Sequence, residues 1–168
     1  MQAITKDVRL ALDAKLWRAA LALALTIPDV CARLQGEKGR SAYVRWFDAH
    51  VGDRYRRPIG PQQREYIFMD GRDAYALRCA YLHQQSLDTD EQEIKHVVDK
   101  FKLTISPAGF PIHLNGGDPL QVDVRILCED ICAGADAWAE QHAGDKAMQE
   151  RMQGLASFLD LGSGPFSI

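Results

Sequence analysis

A mostly helical single domain is what the sequence predicts: a bundle of four to five main helices carrying a small antiparallel β-meander at about 101–124. Three observations carry that prediction. Apolar residues recur at spacings of three and four over most of the first hundred positions and again beyond 126. Between 101 and 124 the period falls to two, in short runs bounded by Pro, Gly or Asn. Finally, 168 residues with 46% apolar and 26% charged side chains match the length and proportions of one globular domain with a real core. The domain is placed at 1–160, and the tail at 161–168, LGSGPFSI, is expected to be loose.

The elements follow in order. Leu10, Leu12, Leu16, Trp17, Ala20, Leu21, Leu23 and Leu25 lie among alanines, a run of strong helix formers for which Asp7 is the candidate cap. Its apolar surface wraps far round between Trp17 and Leu25, so this helix should be central. The string Thr26-Ile27-Pro28-Asp29 restarts the chain, with Pro28 at a first helical position and Val30, Cys31 and Leu34 facing in. Gly36 and Gly39 end that short helix. Ser41 caps the next, in which Tyr43, Trp46, Phe47 and Val51 share a face. Pro58, Gly60 and Pro61 mark the following segment as a loop. A fourth helix begins near Gly71-Arg72-Asp73 and runs through Tyr75, Leu77, Tyr81 and Leu82 to about Gln85, and 91–98 adds one or two turns.

Phe101, Leu103 and Ile105 then alternate with polar residues, as do Ile112 and Leu114, and Leu120, Val122 and Val124. These form the three strands of the meander; a helix starting at Asp118-Pro119 competes for the third, but the alternation holds in all three runs. Helical spacing returns with Leu127, Ile131, Ala135 and Trp138 and ends near His142-Ala143-Gly144. Asp145 caps a last helix through Met148, Met152, Leu155 and Phe158. Trp17, Trp46, Phe47, Tyr75 and Trp138 fall at helical spacing and belong to the core.

Composition narrows the function classes. A net charge of −3 and a pI near 5.9 argue against a protein coated in basic residues, though not against a local basic patch. Cys31, Cys79, Cys128 and Cys132 sit among apolar neighbours without a C-x-x-C pair, which reads as free thiols in a reducing compartment. Cys128 and Cys132 lie one turn apart but have no second ligand pair, so no metal or other cofactor is expected. The apolar run at 16–25 is ten residues long and contains Arg18, too short to cross a bilayer and too interrupted for a signal core. A cytoplasmic protein with no membrane association is expected. The LNGGDP string lacks the lysine of a phosphate loop and is read as a turn.

One segment carries chemistry. In YALRCAYLHQQ, Arg78 precedes His83 by five positions inside a helical pattern. The same spacing recurs at Arg45 and His50 in RWFDAH, a competing pair, so spacing alone does not choose between them. Over about 73–86 the first segment resembles the R-x(4–6)-H motif of the HEPN superfamily, in which a helix of an all-α bundle carries the pair; ALRC-x-x-LH is also similar to a bacterial family. Cys79 stands where active HEPN members carry Asn, Asp or His. The resemblance implies a homodimeric protein acting on RNA or nucleotides, in its active form a metal-independent endoribonuclease with two such pairs meeting across the interface.

In that scheme His83 moves a proton at the ribose 2′-hydroxyl or the leaving oxygen, and Arg78 holds charge on the scissile phosphate. On a regular helix the two residues are rotated about 500° apart, so their side chains diverge by about 140°. Either the helix loosens near His83 or the long arginine reaches round to a cleft shared with a two-fold mate. The competing reading makes Arg78 the partner of a surface carboxylate and His83 a helix-end imidazole, in a non-catalytic helical binding or assembly protein.

A second feature bears on ligands. Between 37 and 64 there are seven basic residues (Lys38, Arg40, Arg45, Arg54, Arg56, Arg57, Arg64) against Glu37, Asp48 and Asp53. With Tyr55 embedded in DRYRRP, Arg54, Arg56 and Arg57, together with Arg72, are the candidates for guiding a phosphate backbone. A solvated arginine-rich loop is the plainer alternative.

Overall fold

The computed structural model describes residues 1–82, 101–106 and 120–155. Six α-helices occur among them: α1 (Gln2–Asp13), α2 (Trp17–Leu34), α3 (Arg40–His50), α4 (Gly71–Leu82), α5 (Val124–Gln141) and α6 (Lys146–Gln153). A 3-10 turn (Gly52–Tyr55) leads from α3 into strands β1 (Arg56–Ile59) and β2 (Arg64–Ile67), and β3 (Phe101–Thr104) pairs with β4 (Leu120–Asp123). The mostly helical fold is as the sequence predicts. α2 packs against α1, α3, α4 and α5, and its Ala20, Leu21, Ala24, Leu25 and Ile27 are each at most 1% exposed. One hydrophobic core runs from Val8 on α1 to Met148 on α6.

Helix boundaries depart from expectation where the backbone does something the side chains do not announce. α1 starts at Gln2, so Asp7 lies inside it rather than capping it. The run from Leu10 to Leu25 is broken at Lys15, whose φ is 58°. There Leu16 N–H donates to the Ala11 carbonyl at 2.8 Å and Lys15 N–H to Leu12 at 2.9 Å, the paired bonds of a Schellman end. Conversely, α2 continues straight through Pro28. The missing N–H leaves the preceding turn short of a donor, and the gap is flanked by two side-chain bonds: Thr26 Oγ1 donates to the Leu23 carbonyl at 2.7 Å and Tyr43 Oη to Leu25 at 3.2 Å. Gly39, not Ser41, stands at the N-cap of α3.

Two glycines set how closely the helices meet. A Cβ on Gly71 would lie 2.4 Å from the Val44 carbonyl oxygen, and one on Gly134 would lie 2.8 Å from that of His50. α4 and α5 therefore press directly on the α3 backbone.

The sheets need two corrections. Residues 56–67, read as a loop from their prolines and glycine, form an antiparallel hairpin with Arg56 opposite Ile67 and Ile59 opposite Arg64. Pro58 is tolerated because a two-stranded ribbon consists of edges. In the 101–124 region β3 and β4 pair in parallel, Phe101 with Leu120 through Thr104 with Asp123, so the two strands are not neighbours in an antiparallel meander. The expected middle strand at Ile112 and Leu114, the helical turns at 91–98 and the tail at 161–168 lie outside the described residues. The strand reading of the third run holds for Leu120 to Asp123; α5 then begins at Val124, two residues earlier than the spacing suggests.

Asp123 makes that joint. Fully buried, it accepts from Ser106 N–H at 2.6 Å, Arg125 N–H at 2.8 Å and Ile126 N–H at 3.2 Å, and the Arg125 guanidinium returns a bond to the Ser106 carbonyl. Burial alone would raise its pKa, but these donors outweigh burial and hold it below the usual carboxylate range. Asp145 caps α6 as expected, accepting from Met148 N–H at 3.0 Å.

Candidate functional site

α4 presents Arg78, and its start is firmly fixed. Asp70 Oδ1 accepts from Arg72 and Asp73 N–H, both at 2.9 Å, while Asp73 Oδ2 accepts from Asp70 N–H at 3.2 Å, a reciprocal cap. Asp48 on α3 adds a bond from Gly71 N–H at 2.7 Å. Two turns further on, Arg78 Nη2 lies 3.0 Å from Asp29 Oδ2 on α2, with the two side chains 21% and 23% exposed. The guanidinium carbon sits 5.9 Å from the Tyr75 ring centre, and Arg40 approaches the same ring at 5.8 Å. Tyr75 in turn meets Tyr43 edge-on at 5.4 Å.

These contacts decide the electrostatics. Burial works against the charge on Arg78, but Asp29, Cys79 and Tyr75 together outweigh it and the pKa of Arg78 is raised. The Tyr43 hydroxyl is pushed far up by burial, then by Asp29. Arg78 Nε is shielded from solvent with no partner among the described residues, and Nη1 finds only the Cys79 sulfur at 3.9 Å. Arg78 thus joins α4 to α2 through a carboxylate, as the plainer of the two sequence readings has it. His83 lies outside the described residues.

The competing pair does not converge. Arg45 is bound to Glu37 at 2.6 Å, and the His50 ring lies tilted against Trp46 with ring centres 5.0 Å apart. Burial lowers the pKa of His50, and the nearby His142 adds to the effect.

Of the four arginines proposed to guide phosphate, two are occupied or turned inward. Arg54 donates to the His50 carbonyl at 3.0 Å and reaches Asp130 at 3.3 Å, tying the 3-10 turn to α5. Arg56 is half-buried beside Gly52, its Nε shielded. Arg57 and Arg72 are exposed.

The hairpin register reveals partners that sequence reading missed. Because side chains alternate across a strand, Arg57 and Ile59 on β1 share a face with Tyr66 and Arg64 on β2. Arg57 is directly opposite Tyr66 and Arg64 directly opposite Ile59. All four are exposed, Tyr66 at 42% and Ile59 at 45%. The hairpin's one acid, Glu65, points to the other face with Arg56. Tyr66 is held edge-on by Phe68 at 4.9 Å, and Phe68 N–H donates to the Tyr55 carbonyl at 2.8 Å, which fastens the hairpin to the body. The available signal was the alternation of Arg64 and Tyr66 with Glu65 and Ile67 after the turn residues.

Elsewhere, a cavity of about 840 Å³ opens between α1, α5 and α6. Its Arg9 is already paired with Asp136 at 2.9 Å and Glu129 at 3.1 Å, and Asp136 also accepts from Thr5. Among the described residues no cluster of three His, Cys, Asp or Glu side chains could hold a metal, and no helix is long and apolar enough to cross a membrane. All four cysteines are buried, and burial raises the thiol pKa of Cys31, Cys128 and Cys132. No family model, curated protein or solved structure matches the chain.

Proposed function

We propose that the protein binds RNA through the outward face of its β1–β2 hairpin. One observation carries the reading: two exposed arginines and a tyrosine share a face from which the hairpin's acid is excluded by register. Guanidinium groups bind phosphate through a planar fork and stay charged at any physiological pH. On an otherwise acidic protein such a face is a local attractor for a polyanion. Arg57 spends one donor on the Arg56 carbonyl at 2.8 Å and keeps the rest for a ligand. Arg72, in the first turn of α4, is also exposed. Binding measured by fluorescence anisotropy should weaken as salt rises, and each arginine removed should flatten the log–log salt dependence by about 0.7 on a single strand. A salt slope that Arg57→Ala and Arg64→Ala leave unchanged would refute the reading.

A second reading adds cleavage in the manner of HEPN proteins, with Arg78 and His83 as the acting pair in a homodimer. Its support is that Arg78 is a fixed, permanently charged guanidinium that keeps about a fifth of its surface in water, five positions before an imidazole in the sequence. The Asp29 ion pair favours the simpler binding function. Incubation with RNA in EDTA decides: cleavage abolished by His83→Ala, with binding retained, supports the second reading.

A further inference from the structure

We infer that Tyr66 is a base-stacking platform flanked by two phosphate clamps, Arg57 and Arg64, so that the preferred ligand is single-stranded nucleic acid with an unpaired base. This rests on the reading of the hairpin as an RNA-binding surface and names the form of RNA it takes. Charge alone would suit any polyanion, double-stranded or not. The aromatic ring is what discriminates, because only an unpaired strand can place a base flat on a side chain.

Three features favour that use. The Tyr66 ring is exposed yet oriented, since its edge-to-face contact with Phe68 at 4.9 Å and 73° fixes its plane before any ligand arrives. A tyrosine has few rotatable bonds, so little freedom is lost on binding. The cations are also suitably disposed. Arg57 faces Tyr66 directly across the ribbon, while Arg64 lies two residues along the strand from Tyr66, which places the two arginines on a diagonal of the same face, about 7–8 Å apart or a little less. A backbone could run along that diagonal with its base turned onto the ring.

An anionic membrane is the main rival, since Ile59 adds an aliphatic side chain to the same face. Electrostatic capture by lipid takes clusters of about four to eight Lys or Arg. The hairpin has three arginines and a glutamate, and only two of those arginines are on this face.

The test uses the full chain and fluorescein-labelled 12-mers with methylated 2′-hydroxyls, which prevent cleavage by internal attack. The wild type should bind the single strand at least about 5-fold more tightly than the matching blunt duplex. Tyr66→Leu should lose about 5- to 100-fold on the single strand and nothing on the duplex, and Tyr66→Phe should restore binding. A strand with abasic sites should bind the wild type as weakly as the intact strand binds Tyr66→Leu. Equal affinity for single strand and duplex, with Tyr66→Leu indistinguishable from wild type, overturns stacking while leaving RNA binding in place. Failure to bind any oligonucleotide, or binding only to phosphatidylserine vesicles, overturns the hairpin reading as well.

Discussion

Arg78 on α4 and the arginine pair on the hairpin carry the same guanidinium in opposite surroundings. Arg78 is four-fifths covered, bound to Asp29 on another helix and laid against Tyr75. Arg57 and Arg64 stand in water on a ribbon whose acid has been turned to the far side by register. Side-chain chemistry is constant across the comparison, so the difference comes from the backbone beneath it. A helix packed against α2 and α3 delivers its arginine to a carboxylate and turns it into a joint. A ribbon fastened at its base by the bond from Phe68 N–H to the Tyr55 carbonyl presents its arginines to whatever comes. Local charge density alone therefore says little about which arginines are available to a ligand.

The comparison breaks most sharply at two glycines. A Cβ on Gly71 would meet the Val44 backbone at 2.4 Å, so Gly71→Ala must force α4 away from α3. A loss of about 3 kcal/mol or more is expected in urea denaturation, because the obstacle is backbone and does not yield. A Cβ on Gly60, in the hairpin turn, would meet nothing within 4 Å, and a side chain there would be strained only by the φ of +74°. Gly60→Ala should cost about 1 kcal/mol, the usual penalty for a side chain in the left-handed region. Equal losses at the two sites would mean that the hairpin is as deeply built into the core as α4.

The arginines themselves come next. Arg78→Ala leaves Asp29 mostly covered and unpaired, and about 2–3 kcal/mol of stability should go with it, short of the loss at a fully buried pair because some water remains. Its RNA affinity should not change if Arg78 is only a joint. Arg64→Ala should do the reverse, moving stability by less than about 0.5 kcal/mol and weakening RNA binding measurably. A variant of Arg78 that keeps its stability but loses RNA affinity would turn the comparison around and return this residue to the active machinery.

Acid separates the two regions in a different way. His50 on α3 is partly covered, tilted against Trp46 and near His142, and its pKa is lowered, by burial first and then by that second imidazole. In the window between its lowered folded value and about 6.5, the unfolded chain takes up a proton that the fold refuses. Stability should therefore fall as pH drops below about 6.5, by less in His50→Gln than in the wild type. Asp123 adds a second loss lower down, since its depressed pKa stabilises the fold above the ordinary carboxylate range and fails as pH falls through the folded value. The proposed binding of RNA by the hairpin should remain flat from pH 8 to 5.5, because arginine does not titrate there. A melting temperature that stays constant across that interval would remove the His50 argument.

Helix content and the core were legible from apolar periodicity, which is why Tyr43, Trp46, Phe47, Leu127, Ile131 and Trp138 are buried as their spacing demands. Sheet partners were not, because alternation identifies a strand without naming its neighbour: Leu103 and Val122 pair in parallel, and Arg57 meets Tyr66 only once the hairpin register is known. The site was half legible for the same reason. Arg57 stood out as charge, whereas Arg64 and Tyr66 gained meaning from the strand opposite. Pro28 misled in the other direction, since packing of Ile27, Pro28 and Cys31 against the core outweighed a missing hydrogen bond.

Lys15 gives the smallest effect and the cleanest control, because it touches neither the α4 joint nor the hairpin. α1 and α2 end in the same way. At Gly36 the terminal residue has φ of 85°, and Glu37 N–H returns to Ala32 while Gly36 N–H returns to Arg33, both at 2.9 Å. At Lys15 the same bonds form with φ of 58° on a residue that has a Cβ. The sequence advertises the first end with a glycine and hides the second, which is why one continuous helix was expected there. Lys15→Gly removes the left-handed penalty but gives the unfolded chain more freedom, so a net gain of about 0.5 kcal/mol is expected. Denaturation should show that gain with RNA affinity unchanged. A loss of stability instead would mean that the Lys15 side chain contributes a contact worth more than the strain it imposes.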